Sequence, residues 1–121
     1  MKLRIQGSSL RLRLTRSEVA SLRDKGEISE TIPFRSGGTL IYRLQQRAGT
    51  DTLQADLAHG LIAISVPTAA LHPWLTSDEV GVYGQDGELR IAIEKDFRCL
   101  TRAAEEQEAD AYPHPAEQCT A

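Results

Sequence analysis

Two stretches of the chain carry the same alternation of apolar and polar residues, 52 positions apart. Leu10, Leu12 and Leu14 alternate with Arg11 and Arg13, and Ile62, Ile64 and Val66 alternate with Ala63 and Ser65. A period of two marks a half-buried strand, because successive side chains point to opposite faces. The same offset sets Leu3 and Ile5 against Ala55 and Leu57, Val19 against Leu71, Leu22 against Trp74, and Ile28 against Val80. After a three-residue deletion the offset becomes 49, and Leu40, Tyr42 and Leu44 meet Leu89, Ile91 and Ile93. Apolar positions that hold phase through two strands, a helix and a final strand indicate one unit written twice.

Each unit reads β-β-α-β-β. The first has strands near 2–6, 9–14, 27–33 and 39–47, and the second near 52–58, 60–66, 79–84 and 88–95. Turn chemistry separates them at Gly7-Ser8-Ser9, Ser36-Gly37-Gly38, His59-Gly60 and Asp86-Gly87. Thr15 with Glu18 three residues later is a capping box, in which each side chain satisfies the other's orphan backbone N–H, and Gly26 ends that helix. Its counterpart after Pro67 and Thr68 is predicted to last one or two turns. Pro73 removes a backbone donor and disfavours helix at His72, while Leu71 and Trp74 still reach the core. The expected fold is a single α+β domain, mainly β, over residues 1–98. Its units, about 1–50 and 51–98, close on each other into a small barrel-like sandwich, and an acidic tail follows over 99–121.

A chain of 121 residues supports one core. No apolar run approaches the roughly 20 residues of a membrane-spanning helix, and MKLRIQGSSLRLRL lacks the apolar centre of a signal peptide. A cytoplasmic location is the expectation. The net charge of -3 hides an asymmetry. Residues 1–50 carry ten Lys/Arg and four Asp/Glu, residues 51–99 three and eight, and residues 100–121 one and five. A basic half and an acidic half can attract each other across a fold or serve different partners.

The segment LIAISVPTAALHPWLTSDEVGVYGQDGELRIAIEKDF resembles the AbrB/MazE swapped-hairpin family, where an I-x-V-P step precedes a short helix and a hairpin. That resemblance implies interleaved units, two chains in that family and one chain here. Over nearly its full length, with SLRLRLTRSEV early and EKDF-x-CL late, the chain also resembles a family of small bacterial proteins of unknown function. This second resemblance implies no activity.

Two features are candidates for function. With Leu3, Ile5, Leu10, Leu12 and Leu14 inward, Lys2, Arg4, Arg11 and Arg13 project together from the other face of one hairpin. Their counterparts, Gln54, Asp56, Ala63 and Ser65, are not basic. Such a stripe either neutralises the phosphates of a nucleic acid, as in swapped-hairpin DNA binders, or is a solvated edge whose charges pair with Glu27 and Glu30. The acidic net charge favours the second reading.

The other feature is the tail, where Cys99, His114 and Cys119 supply a low-specificity set of zinc ligands, lacking the close C-x2-C pair. A Cys99–Cys119 disulfide and free thiols remain open beside zinc. YPHP is rigid and extended, and either docks through Tyr112 or serves as a partner-binding peptide.

No nucleophile sits in an activating frame, no glycine-rich loop joins a strand to a helix, and the three histidines are scattered. The sequence therefore reads as a non-enzymatic cytoplasmic binding or accessory protein. It needs no cofactor, and its partner is a protein of unknown identity. The alternatives are a nucleic-acid-binding regulator or antitoxin of AbrB/MazE type and a small metal-binding protein.

Overall fold

A computed structural model describes residues 1–97 of the chain. The element order is β1 (Lys2–Gln6), β2 (Ser9–Leu14), α1 (Arg16–Lys25), β3 (Glu27–Pro33), β4 (Thr39–Arg47), β5 (Gln54–Ala58), β6 (Leu61–Pro67), α2 (Thr68–Thr76), β7 (Gly81–Asp86) and β8 (Leu89–Lys95). This is the β-β-α-β-β unit twice.

The units do not form one sheet each. Their hairpins interleave into two four-stranded mixed sheets, β1-β2-β8-β7 and β3-β4-β6-β5. We call these sheet A and sheet B. Each is built from one hairpin of either unit, joined at its centre by a parallel pair, β2 with β8 or β4 with β6. Replacing every strand by its repeat partner turns the order of sheet A into that of sheet B. The duplication is thus a pseudo-twofold that exchanges the sheets.

The barrel expected from the sequence is not closed. Among the described residues each sheet ends in edge strands with no further neighbour, β1 and β7 in sheet A, β3 and β5 in sheet B. Local contacts cross the gap instead. The backbone N–H of Ala55 donates to Asp86 Oδ2 at 3.0 Å, joining β5 to β7. The Met1 ammonium reaches Glu30 at 3.1 Å, joining the start of β1 to β3.

The core lies between the sheets and under the helices. Leu12, Leu44, Ile64, Val66, Trp74 and Ile93 have no exposed surface, and Leu14, Leu22, Leu71 and Ile91 are nearly as buried. Register fixes the equivalence. Leu12 faces Leu3 and Ile93, while Ile64 faces Ala55 and Leu44. One expected match is corrected. Ile28 pairs with Leu44 and Val82 pairs with Ile93, so Ile28 corresponds to Val82 and not to Val80. Val80 is half exposed, in a connection after α2 that is longer than the single Gly26 separating α1 from β3.

The two helices differ at their ends as the sequence predicts. Thr15 and Glu18 form the reciprocal capping box, and Gly26 closes α1 at φ 77 with its N–H donating to the Leu22 carbonyl. The second helix has nine residues despite Pro73, slightly more than the predicted one or two turns. Two hydroxyls terminate it. Thr76 Oγ1 donates to the His72 carbonyl at 2.9 Å and Ser77 Oγ to the Pro73 carbonyl at 2.6 Å, each folding back onto the carbonyl four residues earlier in the last turn. Trp74 anchors the helix to the following segment, its Nε1 donating to the Val80 carbonyl at 3.1 Å. No helix among the described residues is long and apolar enough to cross a membrane.

Candidate functional site

Alternation along β1 and β2 places Lys2, Arg4, Arg11 and Arg13 on the outer face of sheet A. The antiparallel register sets Lys2 opposite Arg13 and Arg4 opposite Arg11. Like charges directly opposite each other cost stability unless something intervenes. Carboxylates from the second unit do intervene. Glu94 on β8 lies 3.3 Å from Arg11 Nε and 3.6 Å from Arg13 Nε, and Asp96 lies 3.1 Å from Lys2 Nζ. Glu94 also accepts the Tyr83 hydroxyl at 2.7 Å.

The sequence expectation named the wrong partners. Glu30 instead meets the Met1 ammonium, and Glu27 lies 3.9 Å from Arg43 on sheet B. The reason is the parallel β2·β8 pair, which brings the acidic second half against the basic first half.

The same pairing assembles a site that no linear motif announces. Across sheet A, Arg4, Arg11, Ala92 and Tyr83 are successive cross-strand neighbours in one row. The next row towards the hairpin turns is Gln6, Ser9, Arg90 and Gln85. Together these two rows line an open depression of about 570 Å³. Ala92 lies between longer side chains and leaves room above the sheet. Arg4, Arg11 and Arg90 surround it, and among the described residues none of its lining side chains is a carboxylate. Ser9 Oγ donates to the Gln6 carbonyl at 2.7 Å, which leaves the hydroxyl oxygen as an acceptor.

Sequence reasoning found Arg4 and Arg11 and missed Arg90, Tyr83, Gln6, Ser9 and Gln85. The strand alternation of ELRIAIE does put Arg90 on the outer face. What it does not contain is which strand lies beside β8.

The equivalent face of sheet B differs. Its central parallel pair again holds one arginine and one alanine, Arg43 beside Ala63, but on the opposite strands. Gln45 Nε2 donates to Ser65 Oγ at 3.1 Å there, and Arg47 donates to Gln54 at 3.3 Å.

A second cluster of titratable groups surrounds the chain start. The Met1 ammonium pairs with Glu18 and Glu30, and the Tyr42 hydroxyl donates to the Met1 carbonyl at 2.8 Å. Burial acts to lower the ammonium pKa, but the two carboxylates outweigh it and hold it above 8.0. Burial acts to raise Glu18, but the ammonium and the Thr15 N–H and hydroxyl bring it below the usual glutamate value. Burial, reinforced by Glu30 and Glu18, raises the Tyr42 hydroxyl. Every member is engaged with another, which makes the cluster a structural lock for β1, α1 and β4.

Cys99, His114 and Cys119 lie outside the described residues, as do the YPHP segment and the acidic stretch around it. Among the described residues no group of three or more His, Cys, Asp or Glu is placed to hold a metal ion.

The match that decides the family runs over residues 1–116, to the model described as Family of unknown function (DUF7009). The chain belongs to the DUF7009 family. The full-length resemblance read from the sequence is consistent with this assignment. In this DUF7009 protein the match takes in both repeat units and most of the acidic segment beyond them. No curated protein and no solved structure matches the chain. The resemblance of the second half to AbrB/MazE gains no support from these comparisons.

Proposed function

We propose that this DUF7009 protein is a non-enzymatic, cytoplasmic binding or accessory protein that engages an anionic region of a protein partner through the outer face of sheet A. One observation carries the reading: three arginines from three strands surround an open depression. Its volume falls within the range of roughly 300–1,000 Å³ typical of ligand sites. Arginine suits the role because its planar fork stays charged and meets oxyanions with paired hydrogen bonds.

The nucleic-acid reading, with AbrB/MazE-type regulators as its model, rests on Lys2, Arg4, Arg11 and Arg13. Three of these are held by Glu94 and Asp96, so a phosphate backbone would have to displace existing ion pairs. The depression uses only Arg11 of these three, so a compact anion there competes with Glu94 at one arginine, whereas a duplex along the stripe competes with all three pairs. Zinc binding by Cys99, His114 and Cys119 remains a separate proposal, tested by metal analysis of the purified protein and of Cys99→Ser.

The test is titration of a labelled glutamate-rich peptide into the full-length protein at low and moderate salt, beside Arg90→Gln. Saturable, salt-sensitive binding that weakens at least several-fold in the variant is expected. Absence of binding to this peptide and to any phosphorylated probe would refute the site.

A further inference from the structure

We propose that the groove between α1 and the end of α2 is the docking site for the segment of this chain that follows Phe97, with Leu100 as its anchor. The proposal is independent of the reading of sheet A. The groove has a volume of about 520 Å³. Arg16, Val19 and Arg23 line it from α1, at the i, i+3 and i+7 positions of one helix face. Leu75 lines it from α2, and Leu14 joins Val19 and Leu75 in its apolar part. Leu14 and Val19 belong to the core and Leu75 packs against it.

The parallel pairing of β8 with β2 delivers the chain to this groove. Lys95 lies beside Leu14 in the register, and the Asp96 N–H donates to the Leu14 carbonyl at 2.8 Å. Phe97 is itself a lining residue and is half exposed there, so its ring offers apolar surface beside Leu14 and Val19. Residues 98–121 therefore begin at the groove, near the N-terminal end of α1.

The sequence that follows suits it. Leu100, three positions after Phe97, is the first aliphatic residue larger than alanine and lies within about 10 Å of extended chain. Glu105 and Glu106 come eight and nine positions after Phe97. Arg16 and Arg23 are about 10 Å apart along the helix axis, so the acids reach Arg23 without stretching the segment. Among the described residues neither arginine has an ion pair. Other charges at the groove are engaged: Lys95 Nζ donates to the Ser77 carbonyl at 2.7 Å and Asp96 pairs with Lys2 at 3.1 Å. Asp78 lines the side opposite α1, where it repels an acidic segment and leaves the α1 arginines to set its track. Exposed ion pairs are weak alone. Burial of Leu100 supplies the attraction, and the tether at Phe97 holds the segment at an effective concentration on the order of millimolar, so weak contacts suffice.

The test is amide hydrogen exchange over residues 99–106 of the full-length protein, read by mass spectrometry. Wild type should exchange there at least about tenfold more slowly than the intrinsic rate of that sequence. Leu100→Ser, which alters no residue of the sheets or helices, should lose at least several-fold of the protection. Arg16→Glu with Arg23→Glu should do the same. Both positions are exposed, and the fold of that variant is checked by its thermal transition. Arg90→Gln and about tenfold dilution should leave the protection unchanged. Intrinsic-rate exchange in wild type, or full protection in either of the first two variants, would overturn the proposal. Loss of protection in Arg90→Gln would place the segment on sheet A, and loss on dilution would mean that a second copy fills the groove. Either result also overturns it.

Discussion

Leu12 and Ile64, 52 positions apart, occupy the same place in two different sheets. Each is fully buried at the centre of a parallel strand pair, Leu12 beside Ile93 and Ile64 beside Leu44. Leu44 and Ile93 are themselves repeat partners, so the four side chains form one pseudo-symmetric centre. Truncating either member should cost a similar amount. Leu12→Ala and Ile64→Ala are each expected to lose about 2–5 kcal/mol, through lost burial plus the cavity left behind. Urea denaturation of the two variants checks this, and a loss below about 1 kcal/mol in one of them would break the equivalence.

The capping box of α1 and the ammonium cluster share Glu18. Thr15→Ala removes the hydroxyl that accepts from the Glu18 N–H and should cost about 1 kcal/mol. The pH dependence has two limbs. Glu18 is lowered in the fold, so its contribution is present above the usual glutamate value and is lost as pH falls through the depressed one. The ammonium is raised, so its contribution is complete below 8.0 and is lost as pH rises through its folded value. Thermal midpoints measured from pH 3 to 9.5 should therefore fall at both ends. Glu18→Gln should flatten both limbs, with Glu30 retaining part of the alkaline one.

Two hairpin turns test backbone conformation. His59 and Gly60 both have positive φ, 51 and 75, as a two-residue turn of the mirror-image type requires. A Cβ on Gly60 would also lie 2.7 Å from the Thr39 carbonyl oxygen, a backbone atom that cannot move aside. Gly7, at φ 53, has open space around it. Gly7→Ala should cost about 1 kcal/mol for the backbone alone, and Gly60→Ala more than about 2 kcal/mol. Equal losses in chemical denaturation would show that the Thr39 contact is unimportant.

Charge reversal on the stripe separates an ion-paired face from a phosphate rail. Arg11→Glu with Arg13→Glu would set two new carboxylates beside Glu94, so the loss should be on the order of 1–2 kcal/mol and should be recovered in part by Glu94→Lys. Wild type is expected to show no duplex DNA binding at low salt. Salt-sensitive duplex binding lost in the double variant would instead support the nucleic-acid reading.

Local structure was legible in the chain because it depends on neighbours in sequence. Alternation placed the strands of the first unit, Thr15 with Glu18 and Gly26 bounded α1, and the offsets of 52 and 49 revealed the repeat. The error at Val80 came from the segment before β7, where the insertion carries no apolar phase to follow. Arg4 and Arg11 were recognisable as surface cations for the same local reason.

What the tertiary structure decided is which strands lie side by side. Alternation states which face of a strand is buried, and it is indifferent to the neighbour across the hydrogen bonds. A closed barrel, two separate sheets and two interleaved sheets all satisfy the same pattern of buried leucines and isoleucines. The choice of β8 as the neighbour of β2 placed Glu94 against Arg11 and Arg13, and it brought Arg90 beside the Arg4–Arg11 pair. The sequence by itself determined the repeat, the strands and the basic hairpin. Only the packing of one unit's hairpin against the other's converted that hairpin into a three-arginine depression, because contacts between residues some 80 positions apart are settled by the fold as a whole.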